Sequence, residues 1–280
     1  MAIPAKYANS IFRKTKRGLV QISGSEPGAD ALHSFRTTTR RLETLLTQIL
    51  PGGGRNERKL LKMLDRIRRR VGKIRDLDVQ LTSLRTLKIS QEPRRKTQLI
   101  QRLIELRVQH ENKLRKLITK SEIHEIDKRL KKSSKRVDLR GARDPLAVAK
   151  QILGSAKLPA ASVSEEALHR FRTAVKRARY AAEFAPKSAE SAAFIEQLKQ
   201  MQDALGNWHD WLMVTQAAEE NLGEVTHSSL VAALRNLTRG KYREALVAVS
   251  NQRAVSASMP RIAPYKTRSS ADDRQSDVAA

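Results

Sequence analysis

Two stretches of the chain repeat one spacing of a histidine and two cations. The first reads ALHSFRTTTRRLE and begins at Ala31, and the second reads ALHRFRTAVKRAR and begins at Ala167. An arginine follows each histidine by three residues and a further cation by seven, which gives His33, Arg36 and Arg40 in the first copy and His169, Arg172 and Lys176 in the second. On a helix these positions fall within roughly 60° of one another, so each set forms one stripe. Cationic side chains donate charge-assisted hydrogen bonds, and the stripes therefore predict binding of an anion such as a phosphoryl group.

The apolar residues of the same stretches indicate which way the stripes point. Phe35 and Leu42 in the first copy, and Phe171 and Val175 in the second, cluster opposite the histidine on a helical wheel. Each stretch is therefore predicted to be an amphipathic helix whose histidine lies on the polar face. Two histidines that recur on cation-lined polar faces favour a binding surface over a buried structural role.

The composition narrows the class of partner. The 280 residues carry a formal charge of +26 with a pI near 10.9, and so large a field costs stability unless a polyanion offsets it. The expected partners are nucleic acid, polyphosphate or an anionic membrane surface. The absence of cysteine excludes disulfides, thiolate metal sites and cysteine nucleophiles. No apolar run is long enough for a signal peptide or a membrane span, so a soluble cytoplasmic protein is expected.

Hydrophobic spacing and chain breaks predict the fold. Apolar residues recur at three- and four-residue spacing through long segments, and the alternation typical of strands is absent. Clusters of proline and glycine separate these segments. The pattern predicts an all-α protein of two antiparallel four-helix units. We assign the first unit to 1–120, a basic linker to 121–143, the second unit to 144–250 and a disordered tail to 251–280.

A second repeat lies in the long helix that follows each stripe. The sequence VGKIRDLD aligns with LGNWHDWL, and the aligned pairs are Gly72 with Gly206, Arg75 with His209 and Asp76 with Asp210. A glycine inside a helix costs about 1 kcal/mol relative to alanine, so its recurrence predicts that two helices approach closely there. The two aspartates are predicted to stand behind the ligand contacts, where they accept hydrogen bonds from the stripes and hold the cations apart. The alternative is a pair of exposed carboxylates in weak surface ion pairs.

Further cations extend the polar surface unequally. The first long helix carries a cationic strip of Lys62, Arg66, Arg69, Arg70 and Lys73. The matching positions of the second long helix are mostly neutral or acidic, which predicts weaker binding by the second half. Two cations of the fourth helix recur in the last helix at constant spacing, as Arg107 with Arg235 and Lys113 with Lys241. His110 lies within an apolar series and is interpreted as a core or boundary residue.

Together these motif copies resemble the CHAD domains, the conserved histidine α-helical domains. The matching pieces are LHSFRTTTRRLE and LHRFRTAVKRAR, with the pattern H-x-x-R-x-x-x-R/K, and the glycine and aspartate repeat. The resemblance covers roughly residues 2–249. It implies two pseudo-symmetric four-helix bundles whose basic faces, including both stripes, line a central groove or pore that binds inorganic polyphosphate. Lys176 departs from the family pattern, since it keeps the charge of arginine without the planar fork.

The sequence therefore predicts a protein that binds inorganic polyphosphate without catalysis, cofactor or metal ion. The strand motif E-x-E-x-K of the triphosphatases to which CHAD domains are often fused is absent, which favours a stand-alone binding module. The predicted contacts are His33, Arg36, Arg40, Arg66, Arg70, Lys73, Arg107, Lys113, His169, Arg172, Lys176, Arg179, Arg235 and Lys241, with Asp76 and Asp210 behind them.

Two other functions remain as alternatives. A basic helical protein could bind nucleic acid, although stacking aromatics and a recognition module are missing from the sequence. A metal-dependent phosphohydrolase is disfavoured because Arg75 stands where the second repeat has His209, and arginine cannot ligate a metal. No membrane partner is expected, since the basic helices lack a broad apolar face. The expected location is the cytoplasm, in association with polyphosphate granules, and the oligomeric state is left open, a homodimer included.

Overall fold

The computed structural model describes residues 3–24, 27–50, 52–89, 92–156, 158, 163–222 and 227–257. Within these ranges the chain forms nine α-helices and no strand, so the all-α prediction is confirmed. The helices are α1 (Ala5–Ile22), α2 (Ala29–Thr44), α3 (Arg55–Thr86), α4 (Pro93–Leu117), α5 (Lys120–Lys135), α6 (Pro145–Ser155), α7 (Glu165–Ala182), α8 (Ala189–Asn221) and α9 (Ser229–Ala257). A π-helical turn, Leu45–Ile49, continues α2. None of the described helices is long and apolar enough to cross a bilayer.

Three apolar clusters form the core. The first cluster is built mainly from α1, α2, α3 and α5, and the second from α6, α7, α8 and α9. The third cluster joins α3 and α4 of the first half to α8 and α9 of the second. Because the third cluster draws on both halves, neither half buries its apolar surface alone.

Helix α5 occupies most of the segment that the sequence predicts to be a linker. Ile126 and Leu130 lie one turn apart on α5, and both are buried in the first cluster. The segment 121–143, predicted as a basic linker that could include a short helix, is helical as far as Lys135, and this helix packs into the first core. The many cations of this segment lie on the outer face of an amphipathic helix and conceal its apolar stripe. At the other end, α9 continues to Ala257, and the remainder of the predicted tail lies outside the described residues.

Serine caps define where the two motif helices of the second half begin. The side chain of Ser164 accepts a hydrogen bond from the N–H of Ala167 at the start of α7. At the start of α8, Ser188 and Ser191 form a reciprocal capping box. These bonds satisfy N–H groups that the first helical turn leaves free. They fix the first residue of each helix, and the helical repeat then determines which side chains face the neighbouring helices.

The residues that follow α7 cross into the first half of the molecule. Phe184 is fully buried in the first cluster, where its ring lies 5.1 Å from that of Tyr7 in an edge-on arrangement. Beside it, Arg41 on α2 donates hydrogen bonds from Nε and Nη2 to the two carboxylate oxygens of Glu183, at 2.6 and 3.2 Å. A bidentate pair of this kind holds both direction and distance. We call Glu183 and Phe184 the crossing segment, because it fastens α7 to α2.

Candidate anion-binding site

The site lies where the four helices that carry the repeated motifs meet. Helix α2 packs against α7 and α3 packs against α8, while each stripe helix also packs against the long motif helix of its own half. We define the central cluster as Arg36 on α2, Asp76 on α3, Arg172 and Lys176 on α7, and Asp210 on α8. The charges of Arg36 and Asp76 both act on Lys176 across the boundary between the halves. The two stripes therefore meet in one electrostatic environment.

In the first half, the central cluster contains an ion pair between two solvent-accessible side chains. Nη1 of Arg36 donates a hydrogen bond to Oδ1 of Asp76 over 2.9 Å. Gly72, one turn before Asp76 on α3, leaves room for the guanidinium, because a Cβ at that position would lie 3.8 Å from Cζ of Arg36. The charge of Arg36 is therefore partly offset within the protein.

In the second half, the cations of the cluster are half-buried and have no ion-pair partner in the described part of the chain. Within the described part of the chain, neither Arg172 nor Lys176 forms an ion pair, and Nε of Arg172 is buried without a hydrogen-bond partner. Burial lowers the pKa of Lys176 to about 7, and the charges of Arg172 and Arg36 act in the same direction. Burial also raises the pKa of the Asp210 carboxyl, although Arg172 opposes that effect. The second half thus presents two desolvated cations to a ligand.

Three histidines border the central cluster, and all of them are held in the neutral form at pH 7. Burial lowers the pKa of His33, and nearby Arg75 lowers it further. Burial and the charge of Arg172 lower the pKa of His169, and the same two causes lower that of His209 to about 3. The rings of His169 and His209 lie 4.9 Å apart, and Nδ1 of His209 is buried without a partner. Neutral imidazoles remain available as donors to a phosphate oxygen and gain charge if an anion raises their pKa.

His209 is the residue of this site that the predicted contact set omits. The available signal was its alignment with Arg75, which places it at the cationic position of the second repeat. Among the residues that the structure describes, no three histidine, aspartate or glutamate side chains are grouped so that they could hold a metal ion.

Most of the other predicted contacts have a carboxylate partner. The ion pairs are Arg40 with Glu43 at 3.2 Å, Arg66 with Glu122 at 2.7 Å, Arg107 with Asp78 and with Glu111 at 2.6 Å each, Arg179 with Glu183 at 3.3 Å, Arg235 with Glu219 at 2.7 Å, and Lys241 with Glu244 at 2.8 Å. Within the described ranges, the predicted contacts without an ion pair on α3 and α4 are Arg70, Lys73 and Lys113. The predicted set is thus divided between the central cluster and cations that other parts of the protein already neutralise.

The two aligned glycines have different surroundings, and neither marks a close approach of helix backbones. The nearest neighbour of a Cβ at Gly72 would be the guanidinium of Arg36, whereas a Cβ at Gly206 would meet nothing within 4 Å. The prediction of close helix packing at these positions is therefore wrong. At Gly72 the space serves a side chain, and at Gly206 it is open.

Replacing Gly206 with alanine should raise the free energy of unfolding by about 0.5–1 kcal/mol, because alanine loses less backbone entropy in a helix interior. Urea unfolding of the variant and the parent protein measures this difference. Gly72→Ala is the matched comparison, since its methyl group would make an ordinary van der Waals contact with Arg36 at 3.8 Å, and a similar gain is expected. A loss of stability in Gly206→Ala would contradict the open space at that position.

These features define the class to which the protein belongs, an all-helical protein with buried cations at the junction of two repeats. The family model of the CHAD domain matches residues 16–219, and the chain belongs to the CHAD domain family. The resemblance recognised from the repeated motifs is confirmed.

Solved structures agree with this assignment at the level of the fold. The crystal structure of the CHAD domain from the plant Ricinus communis is 17% identical, with a TM-score of 0.62 over 91% of this chain and 91% of that chain. PptA from Streptomyces chartreusis is 18% identical, with a TM-score of 0.65 over 90% of this chain and 97% of that chain. No curated protein sequence matches the chain. At these identities the structural likeness shows the fold alone.

Proposed function

We propose that this CHAD protein binds inorganic polyphosphate at the central cluster and carries out no chemistry on it. The observation that supports the proposal best is the pair of half-buried cations, Arg172 and Lys176, that lack an ion pair within the described chain. Removing a cation from water is costly unless a negative group compensates it. A phosphate chain supplies that compensation, because its oxygens accept the charge-assisted hydrogen bonds that these side chains have left unused.

The local charges argue against a metal-dependent reaction at this place. A free divalent cation that entered the central cluster would meet Arg36, Arg172 and Lys176 at close range. Of the two carboxylates there, Asp76 already accepts from Arg36, and burial raises the pKa of Asp210. A polyanion lowers the electrostatic energy of this arrangement, whereas a lone metal ion raises it.

The tryptophans disfavour the alternative of single-stranded nucleic acid. Proteins that bind single strands usually stack the bases on exposed aromatic rings. Trp208 is fully buried in the second cluster, and Trp211 packs against the third cluster. Trp208 therefore offers no face for a base, and the third cluster covers part of Trp211. The basic charge alone would then support only weak, sequence-independent binding of nucleic acid.

Isothermal titration with polyphosphate of defined length tests the proposal directly. We expect affinity to fall steeply between low and high salt, by analogy with the counterion release that accompanies binding to DNA. Polyphosphate should displace nucleic acid from the protein at equal phosphate concentration. The proposal fails if binding of polyphosphate is absent, or if nucleic acid displaces polyphosphate instead. Release of orthophosphate during the titration would contradict the absence of catalysis.

The state of Lys176 predicts a pH dependence near neutrality. Its pKa of about 7 leaves the side chain partly neutral in the free protein, and a bound polyanion raises that pKa. Binding at pH 7 should therefore take up protons, and affinity should fall as the pH rises from 6 to 8. Titrations at pH 7 in buffers of different ionisation enthalpy measure the uptake.

Lys176→Arg is the control for this effect, because arginine stays charged throughout the range. The variant should keep its affinity at pH 8 and lose the proton uptake above pH 7. Uptake that remains below pH 6 belongs to the histidines. If the variant and the parent protein show the same pH dependence, Lys176 is not the group that responds.

A further inference from the structure

A second group of unpaired cations lies where α3 packs against α4. We call it the α3–α4 cluster, and it consists of Arg70, Lys73, His110 and Lys113. The contact between Nε of Arg107 and Asp78, at 2.6 Å, sets the register of these two antiparallel helices. Each step forward along α4 is a step back along α3, so His110 and Lys113 lie beside the turn that carries Arg70 and Lys73.

The protein leaves the charges of this cluster uncompensated. In the described part of the chain none of its three cations forms an ion pair, whereas neighbouring Arg107 is neutralised by both Asp78 and Glu111. Three like charges close together repel one another, and the nearby carboxylates do not relieve this repulsion. An anion bound between the two helices would relieve this repulsion.

His110 is half-buried, and it adds a ring nitrogen without a hydrogen-bond partner to this cluster. Its Nδ1 is buried and makes no hydrogen bond. Burial lowers the pKa of His110, and the charges of Lys113, Lys73 and Arg70 lower it further. The imidazole is therefore neutral while the site is empty of an anion. Its half-buried position is that of a boundary residue, one of the two roles that the apolar spacing of α4 predicts, and it lies near the cations of both helices.

We propose that the α3–α4 cluster is a second phosphoryl-binding site, distinct in its residues from the central cluster. Arg70 offers two N–H groups in a planar fork, while Lys73 and Lys113 act as point charges. The bound phosphoryl group favours protonation of His110, whose Nδ1 then becomes a donor to a phosphate oxygen. The site thus uses an imidazole that lies outside the central cluster and has a buried ring nitrogen without a hydrogen-bond partner.

The position of Lys73 connects this site with the central cluster. Lys73 lies one turn before Asp76 on α3, so a linear polyphosphate that leaves Arg36 across α3 meets Lys73 next. The identity of the occupant as a second segment of that chain rests on the proposed function. The proposal that the cluster binds a phosphoryl group is independent of the proposed function, because a short phosphate can reach the cluster from solvent.

The second half of the molecule has no equivalent site. The spacing that aligns Arg107 with Arg235 places Thr238 at the position of His110. Thr238 is buried, and its hydroxyl oxygen lies 2.8 Å from that of Thr215, in a hydrogen bond within the core. Asn207 stands where the first half has Lys73. The site is therefore a feature of the first repeat alone.

Proton NMR titration of the histidine ring signals tests the second site. In the full-length protein, His110 reports the α3–α4 cluster and His169 reports the central cluster, with His110→Gln and His169→Gln used for assignment. On addition of tripolyphosphate, the pKa of His110 should rise by about one pH unit or more, as expected for a new opposite charge within contact distance. The response should saturate with the ligand.

A matched pair of double variants separates local binding from the general field of the protein. Lys73→Gln/Lys113→Gln should abolish the response of His110 and leave that of His169 intact. Lys128→Gln/Lys132→Gln removes the same charge from exposed positions on α5 and should leave both responses intact. If His169 responds and His110 does not, the second site is refuted while the proposed function stands. If neither responds, both are refuted. If the two double variants weaken His110 equally, the shift reflects net charge and the second site is refuted.

Discussion

Replacing Arg172 and Lys176 together with glutamine will lower the affinity for polyphosphate about 100-fold or more. A hydrogen bond to a charged group contributes about 1.5–3 kcal/mol, and each 1.4 kcal/mol is a factor of ten, so two such contacts account for a loss of this size. These cations have no carboxylate partner in the described chain that competes with the ligand. Isothermal titration at fixed salt and pH 6.5, where Lys176 is mostly protonated, measures the change.

The matched control is Arg66→Gln/Arg235→Gln. It removes the same net charge, but each of these arginines already has a glutamate partner at 2.7 Å. Neutralising them should lower the affinity less than tenfold. If both double variants weaken binding to the same degree, the protein attracts polyphosphate through its overall charge and the central cluster has no special role.

Folding of the first double variant needs a separate check, because it leaves Asp210 buried beside fewer cations. Burial raises the pKa of the Asp210 carboxyl, and the charges of Arg172 and Lys176, which oppose that effect, are both lost in this variant. Thermal unfolding should confirm a folded protein, and Lys176→Met provides a second variant with one smaller change. An unchanged affinity of Lys176→Met at pH 6.5 would contradict a direct contact by Lys176.

The second large effect is expected at the crossing segment. Phe184→Ala should lower the free energy of unfolding by about 3–5 kcal/mol, as expected for truncating a fully buried phenylalanine that leaves a cavity. The contacts that are lost belong to the core of the first half, although Phe184 follows a helix of the second half. Urea unfolding monitored by circular dichroism measures it. A single shared transition is expected, because the third cluster joins both halves.

Phe194→Ala is the control for this prediction. Phe194 lies on α8 and is only partly buried against the second cluster. Its truncation should cost clearly less than that of Phe184. Equal costs, or a shared unfolding midpoint that does not move in Phe184→Ala, would show that the crossing segment does not support the first core.

The sequence predicted the parts of the site that depend on one helix at a time. Spacing within α2 and α7 placed each histidine and its cations on one polar face, and α3 and α8 carry their aspartates at aligned positions. Periodicity encodes such features locally, since each turn of helix repeats the same geometry. The packing of α5 into the first core was not predicted, because cations on α5 outnumber its buried apolar residues.

Ion-pair partners could not be predicted, because they depend on which helices meet and in what register. Glu183 lies far from Arg41 along the chain, and no motif connects the two residues. The smaller number of cations on the second long helix predicted that the second half binds the ligand more weakly. The proposed function reverses that expectation, since the second half holds the half-buried cations without a carboxylate partner. Burial and pairing, rather than the number of cations, determine how much affinity remains for a ligand.

The crossing segment also constrains the order of events during synthesis. The ribosome releases the first half of the chain before α7 exists, so its core at that stage lacks the ring of Phe184. Arg41 likewise lacks its bond to the Glu183 carboxylate at that stage. The nascent first half therefore stays incompletely packed, with an open apolar pocket, until translation has passed residue 184. Completion of the first core and the joining of α2 to α7 then happen in one step, and the four helices around the central cluster come together only after both halves have been made.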